Sequence, residues 1–419
     1  MKYVVLIGDG MADEPQEGLG GMTPLQAAVT PHMDYLATHG CLGLLRTVPD
    51  GFPPGSDVAN LSILGYSPRD YYTGRAPLEA ASLGLELGEG DIAFRCNLVR
   101  LERRSGATIM ADYSGGGIRT AEAGKILDAI GRGLGEEGVE FHTGVSYRHV
   151  VLWRNGRDLF RGLETTPPHD ISGRDIERYL PRGRGSELVR RVMERAHQII
   201  TGLDGKGATM AGDRVEANGI WLWGQGHRAA MPTIQERYGL TGATVCAVDL
   251  VRGIGNLAGL RPVRVSGATG DIDTDYAGKA TAALEALERF DLVVVHVEAP
   301  DEASHRGRCV EKIRAIEQFD ALVVGAIRLG MGRFGSWRAL VLPDHPTPVR
   351  TKTHSADPVP FALYDSAAAA SATPCRNEPR RFDEKTAQET GVYVEEGWRI
   401  LDYLVGSGVV PKASRHSLS

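Results

Sequence analysis

Three apolar runs of this chain end in aspartate: Val4–Gly8 leads into Asp9, Leu292–Pro300 into Asp301, and Leu340–Pro343 into Asp344. If these runs are parallel strands, their carboxyl ends share one edge of a sheet, where open α/β folds place ligands. Three carboxylates at one edge repel one another unless cations lie between them. Histidines fall beside the acids. His305 stands four positions after Asp301, His345 directly follows Asp344, and His354 lies in a loop before Asp357-Pro358-Val359-Pro360-Phe361. Such a mixed nitrogen and oxygen set suits two divalent ions of the manganese, zinc or cobalt kind better than a calcium cage of oxygens alone. Each residue taken singly has a plainer reading, since an Asp at a strand end is often a helix cap and a lone His a core or surface residue. The joint pattern carries the metal reading.

A nucleophile candidate stands at Ser56, in Pro53-Pro54-Gly55-Ser56-Asp57-Val58-Ala59-Asn60. Gly55 permits a tight turn, and Val58, Leu61, Ile63 and Leu64 begin an apolar helical pattern. Ser56 is therefore expected at a helix N-terminus, where free amides and the helix dipole favour a bound phosphate. A serine hydroxyl is a weak nucleophile that a metal can activate. The competing reading is an ordinary helix cap with Asp57 as first-turn acid, and Ser-Asp alone does not choose between them.

The elements that must position these residues read as short β-rich runs alternating with amphipathic helical segments. That pattern predicts an α/β fold with a mostly parallel sheet flanked by helices. The first strand is Lys2–Gly8, and Thr30-Pro31 reads as a helix start with the threonine as N-cap. Cys41–Thr47 reads as a strand, and Asp291–Ala299 and Arg338–Leu342 are runs of the kind buried on both faces. Val310–Leu329 carries helical periodicity.

The middle of the chain differs. It holds short alternating runs (Ile92–Val99, Val145–Trp153) and a basic amphipathic stretch, Ser186–Ile200, but none of the motifs above. At 419 residues the chain is long for one domain. The organisation expected is a discontinuous metal-binding core (1–90 and 217–410), a smaller inserted α/β domain (91–216) and a flexible tail (411–419). A single continuous α/β domain is the alternative.

A net charge of -6 with 42% hydrophobic residues gives no support for nucleic-acid or acidic-membrane partners. Five cysteines, none with a second cysteine or histidine at zinc-site spacing, fit reduced thiols in a cytosol. The opening apolar run is too short for a signal peptide, and no run approaches the ~18 apolar residues that span a bilayer. A cytoplasmic protein is expected.

Taken together, Gly8-Asp9-Gly10, Gly55 through Asn60, Pro300-Asp301 with His305, Pro343-Asp344-His345, and Thr353-His354 before Pro358-Val359-Pro360 closely resemble the archaeal-type, cofactor-independent (2,3-bisphosphoglycerate-independent) phosphoglycerate mutases of the alkaline phosphatase superfamily. The resemblance runs from Met1 to about Asp365 and takes in Tyr72 through Ala80, Ala111 through Ser114, Tyr147-Arg148-His149, Thr166 through Asp170, and Ile220 through Gly226. It implies an alkaline-phosphatase-like core and interconversion of 3-phosphoglycerate and 2-phosphoglycerate through a phosphoserine at Ser56. It also implies two divalent metals, Mn2+ first with Co2+, Zn2+ or Mg2+ as alternatives, and no bisphosphoglycerate. Residues matching Asp301, His305 and His354 would hold one ion, and those matching Asp9, Ser56, Asp344 and His345 the other.

Double transfer requires that glycerate stay bound and water stay out, which gives the inserted domain a covering role. Cations must grip the substrate's anionic groups. The candidates are Arg95, Arg119 and Arg148 in the insert, Arg75 and Lys279 from the core, and His149 and His169. Trp221 and Trp223 are expected to be packing residues. The rival functions are a homoserine kinase-like phosphotransferase on the same scaffold, a metal-dependent phosphatase, and a metal-stabilised regulatory protein without turnover; the retained residue types argue against the last.

Overall fold

The computed structural model describes residues 1–135, 138–203, 216–371 and 380–406. The tail expected at 411–419 lies outside them. The chain divides into two compact units, Met1–Tyr72 with Met231–Ser419, and Thr73–Ala230.

The first unit is built on an eight-stranded sheet in the order Tyr393–Val394, Cys41–Leu45, Val359–Asp365, Trp337–Leu342, Lys2–Gly8, Leu292–Val297, Gly242–Val245, Arg261–Val263. Val359–Asp365 runs against both neighbours, and the other strands share one direction. Parallel strands in such a sheet are covered on both faces, which is why their sequences are continuous apolar runs. Val4 and Leu6 join one core cluster with Val293, Val295 and Val341, and the alternate residues Val5 and Ile7 are as deeply buried. Helices Pro31–His39 and Tyr276–Leu287 close the first of these faces through Met33, Leu36, Ala280 and Ala283.

The periodicity of Val310–Leu329 appears as helix Cys309–Gln318, a π-helical turn Phe319–Val324 and helix Gly325–Gly330. The turn carries buried Asp320, whose carboxylate accepts from the backbone N–H of Met33 (2.7 Å) and His32 (3.1 Å). Thr30 occupies the cap position of helix Pro31–His39 but makes no side-chain cap bond. The capping bonds expected of Thr30 are supplied by the two oxygens of Asp320, while the Thr30 hydroxyl donates to Asp34 Oδ1 at 3.3 Å.

Register brings the site together. Gly8 lies opposite Val297 and Ile7 opposite Leu342, so the chain leaves three neighbouring strands side by side. The loops beyond are tied by Lys312, which is fully buried. Its Nζ donates to Asp13 Oδ2 at 2.8 Å and to the carbonyls of Ala12 and Thr347 at 3.1 and 3.0 Å. One ammonium thus joins the loop after Asp9 to the loop after His345.

The second unit is an antiparallel sheet in the order Ala107–Asp112, Ile92–Arg104, Arg148–Trp153, Val139–Val145, with Gly219–His227 also pairing to Ile92–Arg104. Helices Thr120–Leu134 and Ser186–Leu203 pack on one face around Phe94, Ile130, Val151, Val192 and Trp221. Helix Arg75–Ser82 covers Ala93, Val150 and Leu152 with Ala76 and Ala80. That helix and strand Gly219–His227 belong to this packing, so the unit reaches from Thr73 to Ala230, wider than 91–216. The alternating run Val145–Trp153 takes in the last residue of strand Val139–Val145, a turn with Ser146 at φ 57°, and strand Arg148–Trp153. Among the described residues no helix is long and apolar enough to cross a membrane.

Replacing Lys312 by Met should leave the Asp13 carboxylate buried and unpaired and cost about 3–5 kcal/mol. Urea unfolding at neutral pH measures this; a loss under 1 kcal/mol would show that the tie is dispensable.

Candidate active site

Asp9, Asp301 and Asp344 meet at the carboxyl edge of the sheet, and each is buried. The approach is close enough to require glycine at position 10. Gly10 sits at φ +62°, and a Cβ there would lie 2.5 Å from Asp301 Oδ1 and 2.7 Å from Thr347 Oγ1. Asp344 is the best-held acid: Oδ1 accepts from the N–H of Gly10 (3.2 Å) and of His345 (2.9 Å), and Oδ2 from Asn60 Nδ2 (2.9 Å). Asn60 Nδ2 also donates to the Ser56 carbonyl at 2.8 Å, linking the nucleophile's helix to this carboxylate.

The histidines complete two groups. His305 Nε2 lies 3.0 Å from Asp301 Oδ2, and His354 Nε2 lies 3.7 Å from Asp301 Oδ1 and 3.0 Å from His305 Nε2. His305 Nδ1 is 2.9 Å from the Lys352 carbonyl, which only accepts, so Nδ1–H donates there and Nε2 is the nitrogen that faces the cluster. His345 Nε2 is 3.4 Å from Asp9 Oδ1, 3.6 Å from Asp344 Oδ2 and 3.0 Å from Ser56 Oγ.

Ser56 is the first residue of helix Ser56–Ile63, with Gly55 rather than Ser56 in the cap position, and its hydroxyl lies 3.0 Å from His345 Nε2. The simple capping reading is thereby excluded. The hydroxyl instead belongs to the acid–imidazole cluster.

The electrostatics describe a site short of positive charge. Burial, with Asp344 and Asp301 nearby, raises the Asp9 pKa well above the carboxylate range. Burial also opposes ionisation of Asp301 and Asp344, but His305 and His354 hold the first low and His345 and His296 the second. Burial likewise opposes a charge on His305, yet the Asp301 carboxylate keeps its pKa up at about 9. The upward shifts of Asp9 and His305 both mark places where added positive charge would be stabilised. Asp9 Oδ1 is buried without a hydrogen-bond donor.

Donor atoms of Asp301, His305 and His354 lie within 4.8 Å of one another, as do those of Asp9, Asp301 and His345 and of Asp9, His296 and Asp344. Mixed oxygen and nitrogen donors at this spacing fit divalent metal ions.

The substrate candidates separate. In the second unit, Glu79 lies between Arg75 Nε (3.2 Å) and Arg95 Nε (2.8 Å), the latter an ion pair whose N–H misses the carboxylate. The Arg95 guanidinium stacks 4.3 Å from the Trp223 ring. Burial lowers its pKa to about 10, Glu79 opposing and the charges of Arg75 and Arg148 adding to the effect. His169 packs edge-on against Trp223 at 5.4 Å. Arg75, Arg95, Arg148 and His169 thus form one neighbourhood. Trp223, expected only to pack, supplies the face on which Arg95 lies, whereas Trp221 is a core residue whose Nε1 donates to the Thr166 carbonyl.

Two candidates do not join them. Arg119 is an exposed partner of Glu122 at a helix start. His149 is buried, its Nδ1 accepting from the Gly144 N–H, and burial lowers its pKa to about 4. Both candidacies rested on residue type, which cannot tell a helix-end pair or a core imidazole from a ligand. Lys279 lies buried in the first unit and donates to the His296 carbonyl at 3.2 Å; burial lowers its pKa to about 8.

Sequence reasoning missed Asn60, Glu79, His296 and Thr347, whose hydroxyl donates to Asp301. For His296 and Asn60 a signal exists: each is a polar residue inside an apolar run.

Comparison with known proteins agrees with this geometry. A family model described as 2,3-bisphosphoglycerate-independent phosphoglycerate mutase matches residues 37–203. The chain is 52% identical over 405 residues to a probable 2,3-bisphosphoglycerate-independent phosphoglycerate mutase of Geobacter sulfurreducens, covering 97% of this chain and 100% of the relative. It is 50% identical to the enzyme of that name in Methanothrix thermoacetophila, with the same coverage. Among solved structures it resembles a protein from Pyrococcus horikoshii (TM-score 0.76, 25% identity, 99% of each chain). The cofactor-independent phosphoglycerate mutase of Thermoplasma acidophilum shares the fold (TM-score 0.61, 24% identity, 98% of this chain and 100% of that one). The chain belongs to the 2,3-bisphosphoglycerate-independent phosphoglycerate mutase family.

Proposed function

We propose that this chain interconverts 3-phosphoglycerate and 2-phosphoglycerate through a phosphoserine at Ser56, with two divalent ions and without bisphosphoglycerate. The observation that carries this reading is the position of Ser56. Gly55 takes the cap position, and the Ser56 hydroxyl lies 3.0 Å from His345 in the acid–imidazole cluster. In the first transfer Ser56 Oγ attacks phosphorus, the bond to the substrate's ester oxygen breaks, and the proton lost by the serine ends on that oxygen. In the second, the other hydroxyl of the retained glycerate attacks the phosphoserine and returns a proton to Ser56 Oγ. The first turn of helix Ser56–Ile63 favours the added negative charge through its dipole.

Asp301, His305 and His354 would hold one ion, and Asp9, Ser56, Asp344 and His345 the other. When bound, the ions supply Lewis-acid neutralisation of the phosphate and a lowered pKa for the serine hydroxyl. Mn2+ is the proposed metal, and the donor set also admits Co2+, Zn2+ or Mg2+. Arg75, Arg95 and Arg148 offer forked donors suited to a carboxylate, and we assign the second unit a covering role that retains glycerate. Lys279 is assigned to the phosphate-bearing side. A small phosphorylated metabolite as substrate supports a cytoplasmic location.

Manganese-loaded protein incubated with 3-phosphoglycerate and no bisphosphoglycerate should form 2-phosphoglycerate. Free phosphate as the main product would make the chain a phosphatase, and ATP-dependent phosphorylation of homoserine would make it a kinase. Ser56→Ala should lower kcat by about 10^4-fold or more and abolish phosphoenzyme labelling; normal turnover would remove Ser56 from the mechanism. A further prediction follows from His305, whose pKa of about 9 means that an ion must displace its proton. Apparent affinity for the ion at Asp301 should rise about tenfold per pH unit towards pH 9 and then level. Calorimetry in buffers of different ionisation enthalpy should detect proton release at pH 7.5, and affinity flat from pH 6 to 9 would contradict the assignment.

A further inference from the structure

His296 is the polar residue of the strand Leu292–Val297, otherwise made of Leu and Val. Its side chain is 1% exposed, and neither ring nitrogen has a hydrogen-bond partner. Leaving a buried polar group unpartnered is destabilising, so a hydrophobic residue would fill the place at less cost. The ring does have a neighbour. His296 Nε2 lies 3.2 Å from Asp9 Oδ2.

Asp9's two oxygens are thus divided between two imidazoles. Oδ1 lies 3.4 Å from His345 Nε2, the nitrogen that also touches Ser56 Oγ at 3.0 Å, and Oδ2 lies against His296. Oδ1 is therefore the oxygen on the nucleophile's side and Oδ2 the one behind it. The backbone of His296 is fixed by its register opposite Ile7 and by the Lys279 ammonium on its carbonyl. The ring is within reach of Oδ2 but misaligned, and a small turn of the carboxylate closes the bond, a common feature of unliganded sites.

We propose that His296 is a positioning residue that holds Asp9 Oδ2 through Nε2–H and so aims Oδ1 at the ion shared with Ser56, Asp344 and His345. This rests on the reading of Asp9 as a metal ligand. Partners behind a ligand of this kind set its orientation and basicity, and losing one weakens metal binding by about 10–100-fold.

The test is calorimetric titration of metal-free protein with Mn2+, together with thermal melting of the metal-free forms. In His296→Leu, one of the two ions should bind about 10–100-fold more weakly, while the other is unchanged and the metal-free melting temperature is equal or higher. His296→Gln, which keeps an N–H donor near Oδ2, should recover most of that affinity. In a His305→Ala background, where the Asp301 group is disabled, the remaining ion should show the whole loss. Wild-type affinities in His296→Leu would overturn the proposal, as would equal weakening of both ions with a lowered metal-free melting temperature. A wild-type chain that binds no pair of ions would overturn the metal reading too, which separates the two failures.

Discussion

Mutual repulsion among Asp9, Asp301 and Asp344 is the constraint on which this molecule is organised. Two like charges 4 Å apart oppose each other by about 4 kcal/mol at an effective dielectric constant near 20, and these three are buried. The fold nevertheless presses them together. In the metal-free chain the excess charge raises the pKa of Asp9 and, through Asp301, that of His305. A divalent ion would relieve the same excess with stronger bonds. The cluster is therefore an arrangement that divalent cations would complete.

The scaffold supplies what the charges oppose. Parallel strands deliver the acids to one edge, and backbone amides of Gly10 and His345 with the Asn60 amide hold Asp344. Lys312 stitches the loops behind the site with its charge satisfied by Asp13. Each device neutralises or orients an acid without occupying the face turned to Ser56. The serine is left out of the cap position by a glycine, and its hydroxyl lies against His345 in the acid–imidazole cluster.

The central sheet and most of the site were legible in the sequence, for a physical reason. Strands buried on both faces are runs of Val, Leu and Ile, and an aspartate closing such a run is conspicuous; Asp9, Asp301 and Asp344 stand out in this way. His305 and His345 follow from spacing. What escaped depends on partners distant in sequence. Thr30 has the type of an N-cap, yet the acceptor comes from Asp320, nearly three hundred positions on. His296 looks like a core histidine until Asp9 is placed against it. Arg119 and Arg95 are alike as letters, and only packing puts one beside Glu122 and the other on Trp223. A start of the second unit at Thr73 shows only in packing, where the apolar side of helix Arg75–Ser82 faces strands far along the chain.

The central claim is that this edge of the sheet binds a pair of cations. Anomalous diffraction at the manganese edge from crystals grown with Mn2+ tests it most directly. The account predicts two peaks, one in contact with Asp301, His305 and His354 and the other with Asp9, Ser56, Asp344 and His345. A fully ordered cluster with no anomalous peak among these side chains would contradict it.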